Sequence, residues 1–163
     1  MPNLSTSSLL GAAFDSPGST VDFALLTKAN GNNDSEWVYV KVSGTCLTGT
    51  LVAILNAGTA LACTTAYLVT AASVGTELAW CQTLISDQQC GWVAKRGNNM
   101  YVGCSGTCAM DTQLYLAGSA GYLTTTAGSA TMAGIVLLAS ASTASLVVTT
   151  ALLTYPRAVA QLS

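Results

Sequence analysis

Cysteine offers this chain its most obvious chemistry, at Cys46, Cys63, Cys81, Cys90, Cys104 and Cys108. Cys104-Ser-Gly-Thr-Cys108 is a C-x3-C pair, a spacing at which two thiolates can share a zinc ion. A tetrahedral site needs two more ligands, and the chain has neither a second close cysteine pair nor any histidine. The residues therefore predict no metal centre and no other cofactor. The cysteines read instead as small buried hydrophobes, with a disulfide between Cys104 and Cys108 as a further option once the protein leaves a reducing compartment.

The missing histidine also removes the usual general base, and with it the ordinary Ser/His and Cys/His hydrolases. Carboxylates are scattered, and the one close pair, Asp34 and Glu36, precedes a strand, where solvated charges are routine. No phosphate-binding glycine loop is present. No catalytic residue is assigned and a non-enzymatic protein is expected; the enzymatic alternative is a hydrolase assembled in three dimensions from carboxylates such as Asp87 and Asp111.

Charged residues make up only 7% of the chain, against roughly 25% in ordinary soluble domains. A surface so poor in charge is weakly protected against association, which points to an outside covered by copies of itself or by a partner. A net charge of −2 with dispersed basic residues gives no footprint for nucleic acid. The segment from Met132 to Tyr155 carries no charge, but its centre is Ala/Ser/Thr and its flanks are rich in Val and Thr, so it predicts a β-hairpin and not a membrane span. The opening MPNLSTSSLLGAAFDSPG lacks a basic start and a long apolar stretch, so it does not read as a signal peptide and synthesis in the cytoplasm is expected.

The elements that must position these residues are strands. Trp37–Val42, Thr50–Leu55, Ala60–Thr70, Glu77–Ile85, Gly91–Lys95, Asn99–Cys104, Gln113–Ala117, Tyr122–Thr126, Gly134–Ala139 and Ser145–Leu153 are apolar and β-branched, and Gly- and Asn-rich turns separate them. Pro156 should end the last. A turn or two near residues 66–73 is the best helical candidate. This density of short strands predicts an all-β fold, a single-domain barrel or sandwich spanning 36–156. Residues 1–35 are either an extended N-terminal arm that needs a surface to lie on or a frayed end with an incidental strand near 21–26, and 157–163 form a C-terminal tail.

A slide of 62 residues aligns Tyr39-Val40 with Tyr101-Val102 and Ser43-Gly-Thr-Cys46 with Ser105-Gly-Thr-Cys108, and seven of twelve positions from Tyr39 to Thr50 are then identical. The pattern continues through the following strand and turn, which predicts two related β units at about 37–65 and 99–127. Trp37 and Tyr39 alternate with Val38 and Val40, so one set should face inward and the other outward with Lys41. Trp92, Lys95 and Arg96 are either a core tryptophan with solvated bases or contacts to another subunit. Phe14 and Phe23 are the aromatic anchors of the N-terminal segment. Together Phe14, Phe23, Trp37, Tyr39, Lys41, Trp92, Lys95 and Arg96 are the candidate interface residues.

The runs VDFALLTKANGNNDSEWVYVKVSGT, GWVAKRG, LYLAGSAGYLTTT and GIVLLAS with SLVVTTALLTYP, over roughly residues 20–156, resemble the decoration, or cement, proteins of tailed-bacteriophage heads. The resemblance implies a small, mostly β, trimeric protein on the outside of the virion. Such a protein sits at local threefold positions and clamps neighbouring major capsid proteins against internal pressure. SEWVYVKVSG would lie in the β core, and the arm would reach across adjacent capsid subunits. The expected partners are thus the major capsid protein and the chain itself as a homotrimer, with no nucleic acid and no membrane. The six cysteines and low charge depart from that pattern. A virion-surface module for receptor or carbohydrate recognition is the alternative.

Overall fold

A computed structural model describes residues 14–62, 77–117, 121–127, 130–142 and 146–159, and among them every regular element is a β-strand. The strands are β1 (Lys28–Gly31), β2 (Ser35–Val42), β3 (Leu51–Ile54), β4 (Thr59–Ala62), β5 (Glu77–Cys81), β6 (Cys90–Ser105), β7 (Leu114–Leu116), β8 (Leu123–Thr124), β9 (Thr131–Leu137) and β10 (Leu146–Val159). The expected all-β barrel is present. The helical candidate at 66–73 lies outside the described residues.

Five strands close a ring. β2 pairs antiparallel with the first half of β6 (Val38↔Val93), β6 with β5 (Cys81↔Val93), β5 with β3 (Val52↔Ala79) and β3 with β4 (Ile54↔Ala60). β4 then returns to β2 in parallel (Val42↔Ala60). The packed cluster Val38, Val40, Val42, Cys46, Val52, Ile54, Ala60, Ala79, Cys81, Ile85 and Val93 draws one residue in two from these strands, as the inward set of a barrel must. Five strands leave less room than the eight whose side chains just fill a barrel, which is why Val, Ala and Cys serve here.

The same pairings recur in the second half. The second half of β6 pairs antiparallel with β10 (Val102↔Thr149), β10 with β9 (Ala151↔Leu137), β9 with β7 (Leu114↔Met132) and β7 with β8 (Leu116↔Leu123). β8 returns to β6 in parallel (Cys104↔Leu123), which closes a second ring with the strand order and sense of the first. Local geometry repeats too. Cys46 and Cys108 each form an isolated antiparallel bridge, with Ile85 and Ala141, and Gly44 and Gly106 share φ near +83° and +85°. The repeated phrase is therefore the entry into each ring. Each unit is also longer than 37–65 or 99–127, because its closing strands, β5 with early β6 and β9 with β10, belong to it. The link between a unit's third and fourth strands is longer in the first copy, from β4 to β5, than in the second, from β8 to β9, so a fixed slide loses the match there.

Three expected boundaries are corrected. Gly91–Lys95 and Asn99–Cys104 are one strand, β6, which is shared by both rings; Gly97 (φ +148°) and Asn99 (φ +59°) absorb the irregularity without breaking it. β10 does not stop at Pro156 but runs to Val159, into the expected tail. Its register with β6 ends at Thr154↔Arg96, and with β9 it jumps from Leu153↔Ile135 to Arg157↔Ala133, so the missing proline N–H falls where no ladder bond is required. Finally, no boundary falls at residue 35. β1 pairs with β2 (Ala29↔Trp37) through a turn in which Asn33 and Asp34 both take positive φ, and Phe14 is buried. From residue 14 onward, the supposed arm is part of the domain.

Candidate functional site

Most of the expected interface aromatics are gathered on the outer face of the first barrel, where they bury one another. Tyr39 and Trp92 are directly opposite on β2 and β6, with ring centroids 5.1 Å apart. Phe14 stacks on Trp37 at 4.5 Å with planes 8° apart and meets Trp92 edge-on at 5.3 Å. Phe23 packs against Tyr39 at 5.3 Å and Trp92 at 5.2 Å. The segment carrying both phenylalanines is strapped down by the Gly18↔Cys90 bridge and by the Leu26 N–H, which donates to the Tyr39 carbonyl at 2.8 Å. Polar atoms are matched as well. The Trp37 indole N–H donates to Ser35 Oγ at 2.9 Å, and the Asp22 N–H donates to the Tyr39 hydroxyl at 3.2 Å. Burial pushes the Tyr39 hydroxyl above its ordinary pKa.

Trp37 is 1% exposed and Trp92 2%, so neither offers a free face to a partner. The expectation that either Trp37/Tyr39 or Val38/Val40 would face outward is overturned: the valines fill the barrel, and the aromatics lie beneath residues 14–26. β2 is buried on both sides.

Lys95 and Arg96 belong to a compact charge network. Lys95, 8% exposed, pairs with Glu77 at 2.9 Å; Arg96 pairs with Asp34, and Lys28 with Glu36 at 4.0 Å. Tyr155 joins these pairs, donating its O–H to Glu36 at 2.8 Å while its ring lies 5.8 Å from Lys95 Nζ and 5.9 Å from the Arg96 guanidinium carbon. Lys41 is separate and half-buried, in register with Thr59 and Cys90, and it adds a weak pull on Asp87. Asp87 accepts the Gly44 N–H at 2.7 Å, and this bond is the main cause of its lowered pKa.

What the network leaves behind is a neutral surface. From Gly97 to Pro156 the chain carries a single charge, Asp111. On this half of the molecule Val136 and Leu138 of the β9 end, and Leu146 and Val148 of β10, are exposed at 42–48%, and Met110 at 47%. Thr149, Ala151 and Leu153 alternate with them and are buried. Leu152↔Val136 pairing sets the two strands' outward residues side by side. The first barrel has a smaller counterpart in Leu47 and Leu84, flanking the Cys46↔Ile85 bridge and exposed at 47% and 48%. Reading the sequence missed these residues. Their signal was the lack of charge across 97–156, but with apolar residues on both faces of β10 the alternation could not show which set is outside.

Cys104 and Cys108 are buried free thiols, not a disulfide, as are Cys46, Cys81 and Cys90. Among the described residues no cluster of three or more Cys, Asp or Glu could hold a metal ion, and no helix is long and apolar enough to cross a membrane. The uncharged segment 132–155 supplies the antiparallel β9–β10 pair. No family model, no curated protein and no solved structure matches the chain.

Proposed function

We propose that the protein is a capsid decoration protein: a non-enzymatic homotrimer, made in the host cytoplasm, that binds the outside of a tailed-bacteriophage head and bridges neighbouring major capsid proteins. The observation that carries this reading is the neutral, apolar outer face of the second barrel, with Val136, Leu138, Leu146 and Val148 in water and one charge in the surrounding 97–156 stretch. Exposed apolar area of this kind marks contact surfaces, and charged residues are depleted at the centres of protein interfaces. The first barrel's Leu47 and Leu84 supply a second contact point on the same chain, as bridging requires. The resemblance of the strand and hairpin runs to decoration proteins supplies the identity of the partner. Recognition of a carbohydrate would call for an open aromatic platform, and Trp37 and Trp92 are both covered.

The test is sedimentation of the purified protein with expanded capsids of its own phage, alongside mass measurement in solution. The expected result is a trimer that co-sediments and that loses binding or trimerisation on Val148→Asp with Leu138→Asp. A monomer that stays in the supernatant would overturn the proposal.

A further inference from the structure

Each barrel holds two cysteines that pack together inside it. In the first, Cys46 and Cys81 are fully buried members of one packed cluster, and the Cys46 thiol points at the Gly44 carbonyl, 3.8 Å away. The backbone holds them close. After Cys46 the chain turns back so that the Gly49 N–H donates to the Cys81 carbonyl at 2.8 Å and the Cys81 N–H donates to Thr50 at 2.9 Å. In the second, Cys104 is in register with Leu123, and the Cys108 thiol points at the Leu123 carbonyl, 3.7 Å away. Both thiols are thus gathered at Leu123, and both are fully buried. Cys46 and Cys108 occupy equivalent places in the repeat, yet their partners come from different elements, β5 and β6.

We propose that these are two matched oxidation sites, Cys46 with Cys81 and Cys104 with Cys108, each a buried dithiol that closes to an intrachain disulfide when a small-molecule disulfide reaches it. One protein thiolate attacks a sulfur of the small disulfide, forming a mixed disulfide and expelling one small thiolate. The second protein thiol gives up its proton, attacks the mixed disulfide and expels the other small thiol. Two protein thiols are oxidised to one disulfide, and the small disulfide is reduced to two thiols. Cys46 is placed to react first in its pair. It lies on a segment flanked by the left-handed Gly44 and Gly49 and held at its centre by two hydrogen bonds with Ile85, each 2.9 Å, so a local opening uncovers it. The neighbouring Cys81 thiol lowers the Cys46 thiol, and the neighbouring Cys46 together with burial raises that of Cys81. Burial raises Cys104. Oxidation thus pins the cap of each barrel to its wall after the chain leaves a reducing cytoplasm.

The bridges differ in loop length. Cys46 to Cys81 closes a long loop and Cys104 to Cys108 a very short one, so the first should account for most of any gain in melting temperature. The experiment treats the folded full-length protein with glutathione disulfide, without denaturant, then alkylates remaining thiols and maps peptides by mass spectrometry. The expected result is a Cys46–Cys81 cross-linked peptide pair, an unalkylated Cys104/Cys108 peptide two hydrogens lighter, and a raised melting temperature. Cys46→Ala should keep the second bridge and lose most of that rise. Alkylation of all four cysteines after treatment, pairing with Cys63 or Cys90, or links between chains would overturn the proposal. No capsid is involved, so failure here is separate from failure of the decoration reading.

Discussion

Phe14→Ala tests whether residues 14–26 seal the first barrel. Phe14 is 6% exposed and touches two tryptophans, one stacked at 4.5 Å and one edge-on at 5.3 Å. Truncating a buried phenylalanine costs about 3–5 kcal/mol, of which each aromatic pair supplies about 0.5–1.5 kcal/mol. Phe14 sits on a strap that can settle into part of the vacated space, so the expected loss is near the lower end, about 3 kcal/mol. At about 2–4 °C per kcal/mol for a domain of this size, the melting temperature should fall by about 6–12 °C. Denaturant unfolding followed by tryptophan fluorescence reads both consequences, because water reaching Trp37 and Trp92 shifts native emission to the red as the midpoint falls. Phe23→Ala, at a half-buried position packed against Tyr39 and Trp92, should cost less, about 1–2 kcal/mol. A loss below about 1 kcal/mol for Phe14→Ala with unmoved emission would refute the reasoning, since it would show that the barrel's outer face does not depend on the strap.

Three further outcomes are expected. Glu77→Ala should destabilise the protein by about 1–3 kcal/mol and more than Lys95→Met, because Glu77 is the partner of a nearly buried ammonium, whereas Met removes the charge and keeps the packing; denaturant midpoints of the two variants check the order. Gly44→Ala and Gly106→Ala should cost about 1–2 kcal/mol each and nearly equally, as both have φ above +80° and open space where a Cβ would sit. Gly121→Ala should be far more damaging, since its Cβ would run into the Leu51 carbonyl oxygen, and soluble yield with thermal melting separates the three. Asp87 has a folded pKa lowered by the Gly44 N–H, so the stability it adds is complete above its unfolded value near 3.8 and is lost as pH falls through the lower folded value. Melting curves of wild type and Asp87→Asn should therefore converge in strong acid and separate above about pH 4.

Much of the fold was legible because strands and turns leave local marks. Trp37–Val42 and Thr50–Leu55 are β-branched and aromatic, and β2 and β3 lie where those runs are. The repeated SGTC phrase announced a duplicated unit, because a left-handed glycine and a small residue under a cap constrain residue type at each position. Far less of the contact surface could be read. Aromatic side chains signal burial against something, and sequence alone does not say whether that something is another subunit or residues 14–26 of the same chain.

The amino-acid sequence by itself determined the all-β class, the duplication and the scarcity of charge, since each follows from residue type and order along the chain. Only the tertiary structure decided that Arg96, Gly97 and Asn98 lie within one continuous strand, that this strand serves two closed rings, and that β2 is buried on both faces. Ring closure depends on pairings such as Val42↔Ala60 and Cys104↔Leu123, made between residues distant in sequence. Which face of a strand meets water is set by what covers the other side of the sheet, and no local pattern carries that information.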